Sequence, residues 1–147
     1  DLAPGHVRKF LRLADAGVYD GMAFHRVAPG FVVQTGFIPS REAPLSEEQR
    51  ALVGTLAPEF SDTAHVKGIV SMARGDDEES ASTSFFIVVG DATELDGVYT
   101  AFGGVIGGMD AVDQIATAPV EGETPTMRIP LHRVRLERDG EPNPDGR

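Results

Sequence analysis

Residues 24–34, Phe-His-Arg-Val-Ala-Pro-Gly-Phe-Val-Val-Gln, contain the polar side chains whose types and spacing best suit chemistry. Arg26 carries a guanidinium that stays charged and offers several donors in a rigid plane, so it can hold a carbonyl oxygen. Gln34 lies on the same segment and can both donate and accept hydrogen bonds. Taken alone, Arg26 fits a structural salt bridge at the protein surface equally well.

His25 is the neighbour of Arg26 and suggests a general base, but neighbouring residues on a strand face opposite sides. We therefore expect His25 to point away from a cleft that Arg26 faces. The remaining histidines share no metal-ligand spacing, and the chain has no cysteine. A metal-dependent hydrolase that uses histidines and the acidic run at residues 76–79 therefore has no support, and we predict no metal and no cofactor.

The composition is that of one ordinary globular domain. The chain has 147 residues, of which 41% are hydrophobic and 24% charged, and its net charge is -10. This negative charge argues against nucleic acid and against anionic lipid, because both need clustered Lys and Arg. No apolar run approaches the length that spans a membrane, so we predict neither partner. The absence of cysteine suits cytoplasm and periplasm equally and leaves the compartment open.

Helical periodicity predicts two main helices and one short one. Apolar residues recur at helical spacing over about residues 5–16, between Pro4 and Gly17, and again over residues 109–116. Residues 36–58 resemble an inserted loop that contains one short helix. Ser46 and Gln49 fit a capping box at the start of that helix.

Short apolar segments predict several strands. Those at residues 22–27 and 31–35 are joined by Ala-Pro-Gly, which favours a hairpin. The other predicted strands are 69–73, 85–89, 101–106 and about 130–137, with Gly103 and Gly104 marking a bulge or a weak point. Many short strands with two separated helices indicate a β-barrel or a sandwich capped by helices.

Four blocks of the sequence resemble the cyclophilin family in order and spacing. Residues 24–34 resemble the family signature, and residues 68–73 resemble the strand that binds substrate backbone. Residues 84–87 resemble the strand of the pocket phenylalanine, and residues 95–103 resemble the remaining pocket wall. One block alone would be a weak signal, but four in order identify the chain as a member of the family.

The resemblance implies a mainly-β fold, a closed antiparallel eight-stranded barrel capped by two α-helices. This chain begins partway through the family's second strand, so we expect the first strand to be missing from it. An isomerase domain is expected over residues 1–138, followed by a flexible polar tail at residues 139–147.

The resemblance also implies a peptidyl-prolyl cis-trans isomerase that rotates X-Pro bonds in proteins, assists folding and acts as a monomer on proline-containing polypeptides. The barrier to this rotation, about 18–20 kcal/mol, is amide resonance. Catalysis therefore needs an apolar pocket for the proline ring and a donor that favours the twisted amide, and it needs no nucleophile.

Family roles carry over onto nine positions of this sequence. Catalytic roles are implied for Arg26, Phe31 and Gln34. Substrate-binding roles are implied for six further residues: Val32, Ala73, Arg74, Phe86, Leu95 and Tyr99. Ala73 and Arg74 match positions whose backbone pairs with an extended substrate.

Two departures from the family pattern leave a second function open. Ser84 stands where a second glutamine is common, and Glu94 stands where many members have a Trp that contacts cyclosporin. We therefore expect weak cyclosporin binding. Both departures favour the alternative of a proline-segment-binding chaperone or scaffold module with little turnover. Catalysis is favoured by four retained residues: Arg26, Phe31, Gln34 and Phe86.

Overall fold

The computed structural model describes residues 2–137. Its first element, α1, spans Pro4–Asp15, with the proline in the first turn. The residue at its N-cap, Ala3, has no side-chain group that could accept a hydrogen bond from the first turn. Instead the Glu59 carboxylate accepts hydrogen bonds from the N–H groups of Gly5 and His6, at 3.0 and 2.8 Å, and from the buried His6 ring. A distant loop therefore supplies the cap and fixes α1 on the sheet.

The main sheet has five antiparallel strands. They are β2 (Arg26–Ala28), β3 (Val32–Thr35), β4 (Ile69–Met72), β5 (Phe85–Val88) and β6 (Ala101–Gly104), in the order β2-β3-β5-β4-β6. Arg26 lies opposite Gln34, Gln34 lies opposite Phe86, and Phe86 lies opposite Ser71. Since residues directly opposite each other share a face, these four side chains form one row across the sheet.

Two two-stranded sheets lie outside the main sheet, and only the second of them is a hairpin. β1 (Met22–Ala23) pairs with β9 (Pro130–Leu131), and β7 (Val120–Glu121) pairs with β8 (Thr124–Pro125). The sequence pattern did not reveal β7 and β8, because these strands have two residues each and no run of alternating apolar residues. A single strand over residues 22–27 is wrong, because the structure divides that segment between β1 and β2.

The predicted last strand over residues 130–137 is also wrong beyond Leu131. Residues 132–137 form no strand. Val134 and Leu136 pack against the core, which explains their apolar spacing, but this segment pairs with no neighbouring strand. The bulge expected near Gly103 is confirmed, because the register of β4 and β6 shifts there between Val70 and Ser71.

The two remaining helices agree with the sequence. α2 spans Glu47–Leu52 and begins at the predicted capping box, in which Ser46 and Gln49 bond each other's backbone N–H. α3 spans Met109–Ala116.

Two apolar clusters lie on opposite faces of the sheet. Phe85 belongs to the cluster beneath α1, where its ring meets those of Phe10 and Tyr19 edge to face, with 5.2 and 5.3 Å between the ring centres. Its neighbour Phe86 belongs to the second cluster, with Val32. The period of two along β5 thus separates the structural core from the cavity described below.

The mainly-β fold with a few helices agrees with the sequence. The closed eight-stranded barrel stays a prediction, because residues 2–137 form one five-stranded sheet and two two-stranded sheets. The expected tail at residues 139–147 lies outside the described residues. Among residues 2–137, no helix is long and apolar enough to cross a membrane.

Candidate active site

A cavity of about 150 Å³ lies on the face of the sheet that carries Arg26. It brings together all nine residues that the sequence nominates, which are Arg26, Phe31, Val32, Gln34, Ala73, Arg74, Phe86, Leu95 and Tyr99. These residues come from β2, β3, β5 and the loops that follow β2, β4 and β5.

Arg26 lies at the edge of this cavity and is 35% exposed. Its Nη1 donates to Gln34 Oε1 at 3.3 Å. Its Nε and Nη2 donate to the two carboxylate oxygens of Glu123, each at 3.2 Å. An arginine has five N–H groups, so these three bonds leave two for a ligand. The guanidinium is thus held in place and still has donors to spare.

Apolar side chains form the floor and walls of the cavity. Phe86 is 4% exposed and Val32 is 1% exposed. The Tyr99 ring meets the Phe86 ring edge to face, with 5.9 Å between the ring centres. Phe31 and Leu95 pack on the same cluster. The lining therefore suits a small apolar ring and leaves the polar groups at the rim.

The turn that carries Phe31 packs directly against the backbone of a glycine, Gly90. Gly90 passes so close to this turn that a Cβ at position 90 would lie 1.9 Å from the carbonyl oxygen of Gly30. The Val89 N–H donates to the Phe31 carbonyl at 2.9 Å. Only glycine permits this approach, which fixes one wall of the cavity.

Behind Phe86 lies a buried histidine that the sequence did not reveal as part of the site. His65 is 1% exposed, and its Nδ1 lies 3.1 Å from Asp96 Oδ1. Its Nε2 lies 2.8 Å from the Ser71 hydroxyl, and its ring centre is 6.3 Å from that of Phe86. The order of groups resembles a Ser-His-Asp triad, but Ser71 is fully buried and does not line the cavity. These residues support the cavity floor.

Arg74 contributes more than backbone to the cavity. Its guanidinium lies 4.5 Å over the Tyr99 ring, and its Nη2 donates to the Val98 carbonyl at 2.7 Å. The side chain therefore forms part of the wall through a cation–π contact. The Ala73 N–H donates to the Ser84 carbonyl at 2.9 Å, so Ala73 has only its carbonyl left for a ligand. The Arg74 side chain thus adds a contact to the backbone role that the resemblance implies for this position.

His25 lies outside the cavity, as expected from strand alternation. Its ring packs on Phe37 with 5.0 Å between the ring centres. Burial, together with the positive charge of Arg26, lowers the pKa of His25. Both effects favour the neutral form of the ring, and the contact with Phe37 is a packing contact.

A second cavity of about 220 Å³ adjoins the first and shares Gln34, Ala73 and Arg74 with it. The rest of its lining comes from Gly75 and from four residues that carry hydroxyl groups, Ser80, Ser82, Thr83 and Ser84. The acidic residues 76–79 precede Ser80 and are exposed, so negative charge borders this end of the cleft.

Sequence comparison places this geometry among known proteins. The family model for cyclophilin type peptidyl-prolyl cis-trans isomerases matches residues 1–136. A probable peptidyl-prolyl cis-trans isomerase of Brucella abortus is 44% identical, over 95% of this chain and 74% of that protein. Peptidyl-prolyl cis-trans isomerase A of Dickeya dadantii is 34% identical, over 92% of this chain and 72% of that protein.

Solved structures share the fold at lower identity. A cyclophilin-type isomerase of Cryptosporidium parvum, crystallised in the presence of the dipeptide Ala-Pro, has a TM-score of 0.80 at 23% identity and covers 94% of this chain and 88% of its own. A cyclophilin of Hirschia baltica has a TM-score of 0.75 at 21% identity, covering 90% of this chain and 65% of its own.

Proposed function

This chain belongs to the cyclophilin-type peptidyl-prolyl cis-trans isomerase family, and we propose that it acts by stabilising a twisted X-Pro amide beside Arg26. The observation that carries the proposal is the position of Arg26 and Gln34 at the rim of an apolar cavity floored by Phe86. A proline ring in that cavity would bring its amide nitrogen and carbonyl towards the guanidinium.

The mechanism follows from what limits the uncatalysed reaction. Rotation about the amide breaks its resonance, so the nitrogen becomes pyramidal and gains a lone pair. A fixed cation beside that lone pair stabilises the twisted state more than either planar state. Arg26 has two N–H groups not used by Gln34 or Glu123, one on each Nη. No bond to the substrate forms, and no group is consumed.

Substrate binding is assigned to the apolar walls and to the strand edge. Phe31, Val32, Phe86, Leu95 and Tyr99 would exclude water from the proline ring. We infer proline-containing polypeptides as the substrate class, in keeping with the Ala-Pro dipeptide supplied to the Cryptosporidium parvum relative. Assistance of folding, a monomeric state, an isomerase domain at residues 1–138 and barrel closure are further parts of the proposal.

NMR exchange spectroscopy on an Ala-Pro peptide tests the proposal, because it measures cis–trans exchange and binding in one sample. We expect the chain to accelerate exchange at substoichiometric concentration. Phe86→Leu should weaken peptide binding because it shortens the floor, whereas Phe60→Leu, at a phenylalanine that is 38% exposed, should not. A peptide that binds without acceleration would contradict the proposal and favour the binding-module alternative.

A further inference from the structure

Glu123 holds the guanidinium of Arg26 from the side opposite Gln34. Its Oε1 accepts from Arg26 Nε and its Oε2 from Nη2, each at 3.2 Å, while Gln34 takes Nη1 at 3.3 Å. Two parallel bonds to one carboxylate fix the plane of a guanidinium and not only its position. Both edges of the plane are thus constrained before a ligand arrives.

The backbone of the β7–β8 turn holds Glu123 beside Arg26. Glu123 follows Gly122 in the two-residue turn of the β7–β8 hairpin, where Glu121 pairs with Thr124. Gly122 has a φ of +64°, which the first central residue of a type II′ turn adopts. The Glu123 carbonyl also accepts the Val27 N–H at 2.8 Å. Main chain and side chain of one residue therefore bind adjacent positions of β2.

We propose that Glu123 is a positioning residue for the isomerase reaction, a proposal that rests on the role of Arg26 given above. An arginine side chain has several rotatable bonds. If it were mobile, it would lose rotamer entropy on adopting the one orientation that stabilises the twisted amide. Because Glu123 already fixes the guanidinium of Arg26, this entropy is lost before the substrate binds and does not add to the barrier. Glu123 itself does not line the cavity.

The carboxylate also lowers the net charge beside the amide, which would oppose catalysis. Glu123 is 50% exposed and Arg26 is 35% exposed. Water and salt screen the charges of such a pair, so the loss of field is small. Orientation is therefore the larger effect, and removal of the carboxylate should slow the reaction.

The test compares Glu123→Gln with Glu121→Gln, which removes the same charge from the same hairpin without touching Arg26. We expect Glu123→Gln to lower kcat about fivefold, with the peptide dissociation constant changed less than about twofold, since the pair acts on the twisted state. Glu121→Gln should match the parent chain in both values. The Arg26 Nε–H resonance should move in Glu123→Gln and stay in place in Glu121→Gln.

A double-mutant cycle separates positioning from a structural role. If Glu123 acts through the guanidinium fork, Glu123→Gln should cost nothing further in the Arg26→Lys background. A parental or faster rate for Glu123→Gln, or an equal loss in the Arg26→Lys background, would overturn the proposal. Parental activity of Arg26→Ala would instead overturn the function proposed for Arg26, whatever Glu123 does.

Discussion

At the scale of single residues, the site depends on how one guanidinium divides its hydrogen bonds. Arg26 gives three N–H groups to Gln34 and Glu123, and two of its five N–H groups are bonded to neither residue. Arg26 and Gln34 can be nominated from the sequence, because they share one segment with a recognisable spacing. Glu123 cannot be nominated in this way, because it is separated from Arg26 by 97 positions and lies in a turn with no motif of its own. Contacts of that kind depend on tertiary structure.

His25 shows why adjacency in sequence does not make a residue catalytic. We predict that His25→Phe retains the parental isomerase rate, because the ring packs on Phe37 away from the cavity. Burial lowers the pKa of His25, so the unfolded chain takes up a proton that the folded chain resists.

The parent should therefore lose stability relative to His25→Phe as the pH falls below about 6.5, the ordinary histidine pKa. Urea unfolding of both proteins at pH 7.5 and pH 5.5 checks this. A stability difference that stays constant between the two pH values would show the inference to be wrong.

Glu94 is the residue on which we base the prediction of weak cyclosporin binding. It lies exposed on the short helix Thr93–Leu95, next to the cavity residue Leu95. A charged side chain offers little apolar surface to such a ligand, so Glu94→Trp should tighten binding about tenfold. Titration calorimetry of both proteins measures this, and a nanomolar dissociation constant for the parent chain would contradict it.

At the scale of secondary-structure elements, local signals predicted what local interactions determine. The capping box at Ser46 and Gln49 and the hairpin of β2 and β3 depend on neighbouring residues, and both are present. The strand expected over about residues 130–137 ends at Leu131, because a strand needs a partner to pair with. Val134 and Leu136 have the apolar spacing of a strand and pack in the core without one. Pairing of this kind cannot be derived from one segment.

The N-terminus of α1 gives a prediction about stability. Partial burial alone would raise the pKa of Glu59, but hydrogen bonds from the His6 ring and from the N–H groups of Gly5 and His6 outweigh it and lower the pKa. Glu59→Gln should therefore reduce the free energy of unfolding by about 1 kcal/mol at pH 7, the usual value of a helix cap.

This stabilisation belongs to the ionised carboxylate. It is present above the ordinary glutamate pKa and is lost as the pH falls through the lower pKa of the folded state, so the two proteins should converge below about pH 4.3. Denaturant unfolding across this range measures the difference. A difference that does not depend on pH would contradict the assignment.

At the scale of the whole molecule, the composition gives the net charge, and the fold determines where the charged residues lie. The net charge of -10 is a property of the chain, but its effect on substrates depends on where the charges lie. The structure puts the exposed acidic residues 76–79 next to the second cavity, at one end of the cleft. We therefore expect negative potential where a substrate extends beyond its proline.

Peptides with Lys beside the proline should consequently show higher kcat/KM than peptides with Glu, by about two- to fivefold at low salt. The difference should shrink at 0.5 M NaCl and in a variant with Asn or Gln at all four positions 76–79. Equal kcat/KM values for the two peptides at low salt would contradict electrostatic steering by residues 76–79.

The central claim is that Arg26 favours the twisted amide, and exchange spectroscopy with Arg26→Ala tests it most directly. We predict that Arg26→Ala slows catalysed cis–trans exchange of an Ala-Pro peptide by about 100-fold. Peptide binding should fall far less, because the apolar cavity remains. Arg26→Lys keeps the charge but loses the planar fork of donors, so its exchange rate should lie between those of the parent chain and Arg26→Ala. An Arg26→Ala protein that catalyses exchange at the parental rate would contradict the account.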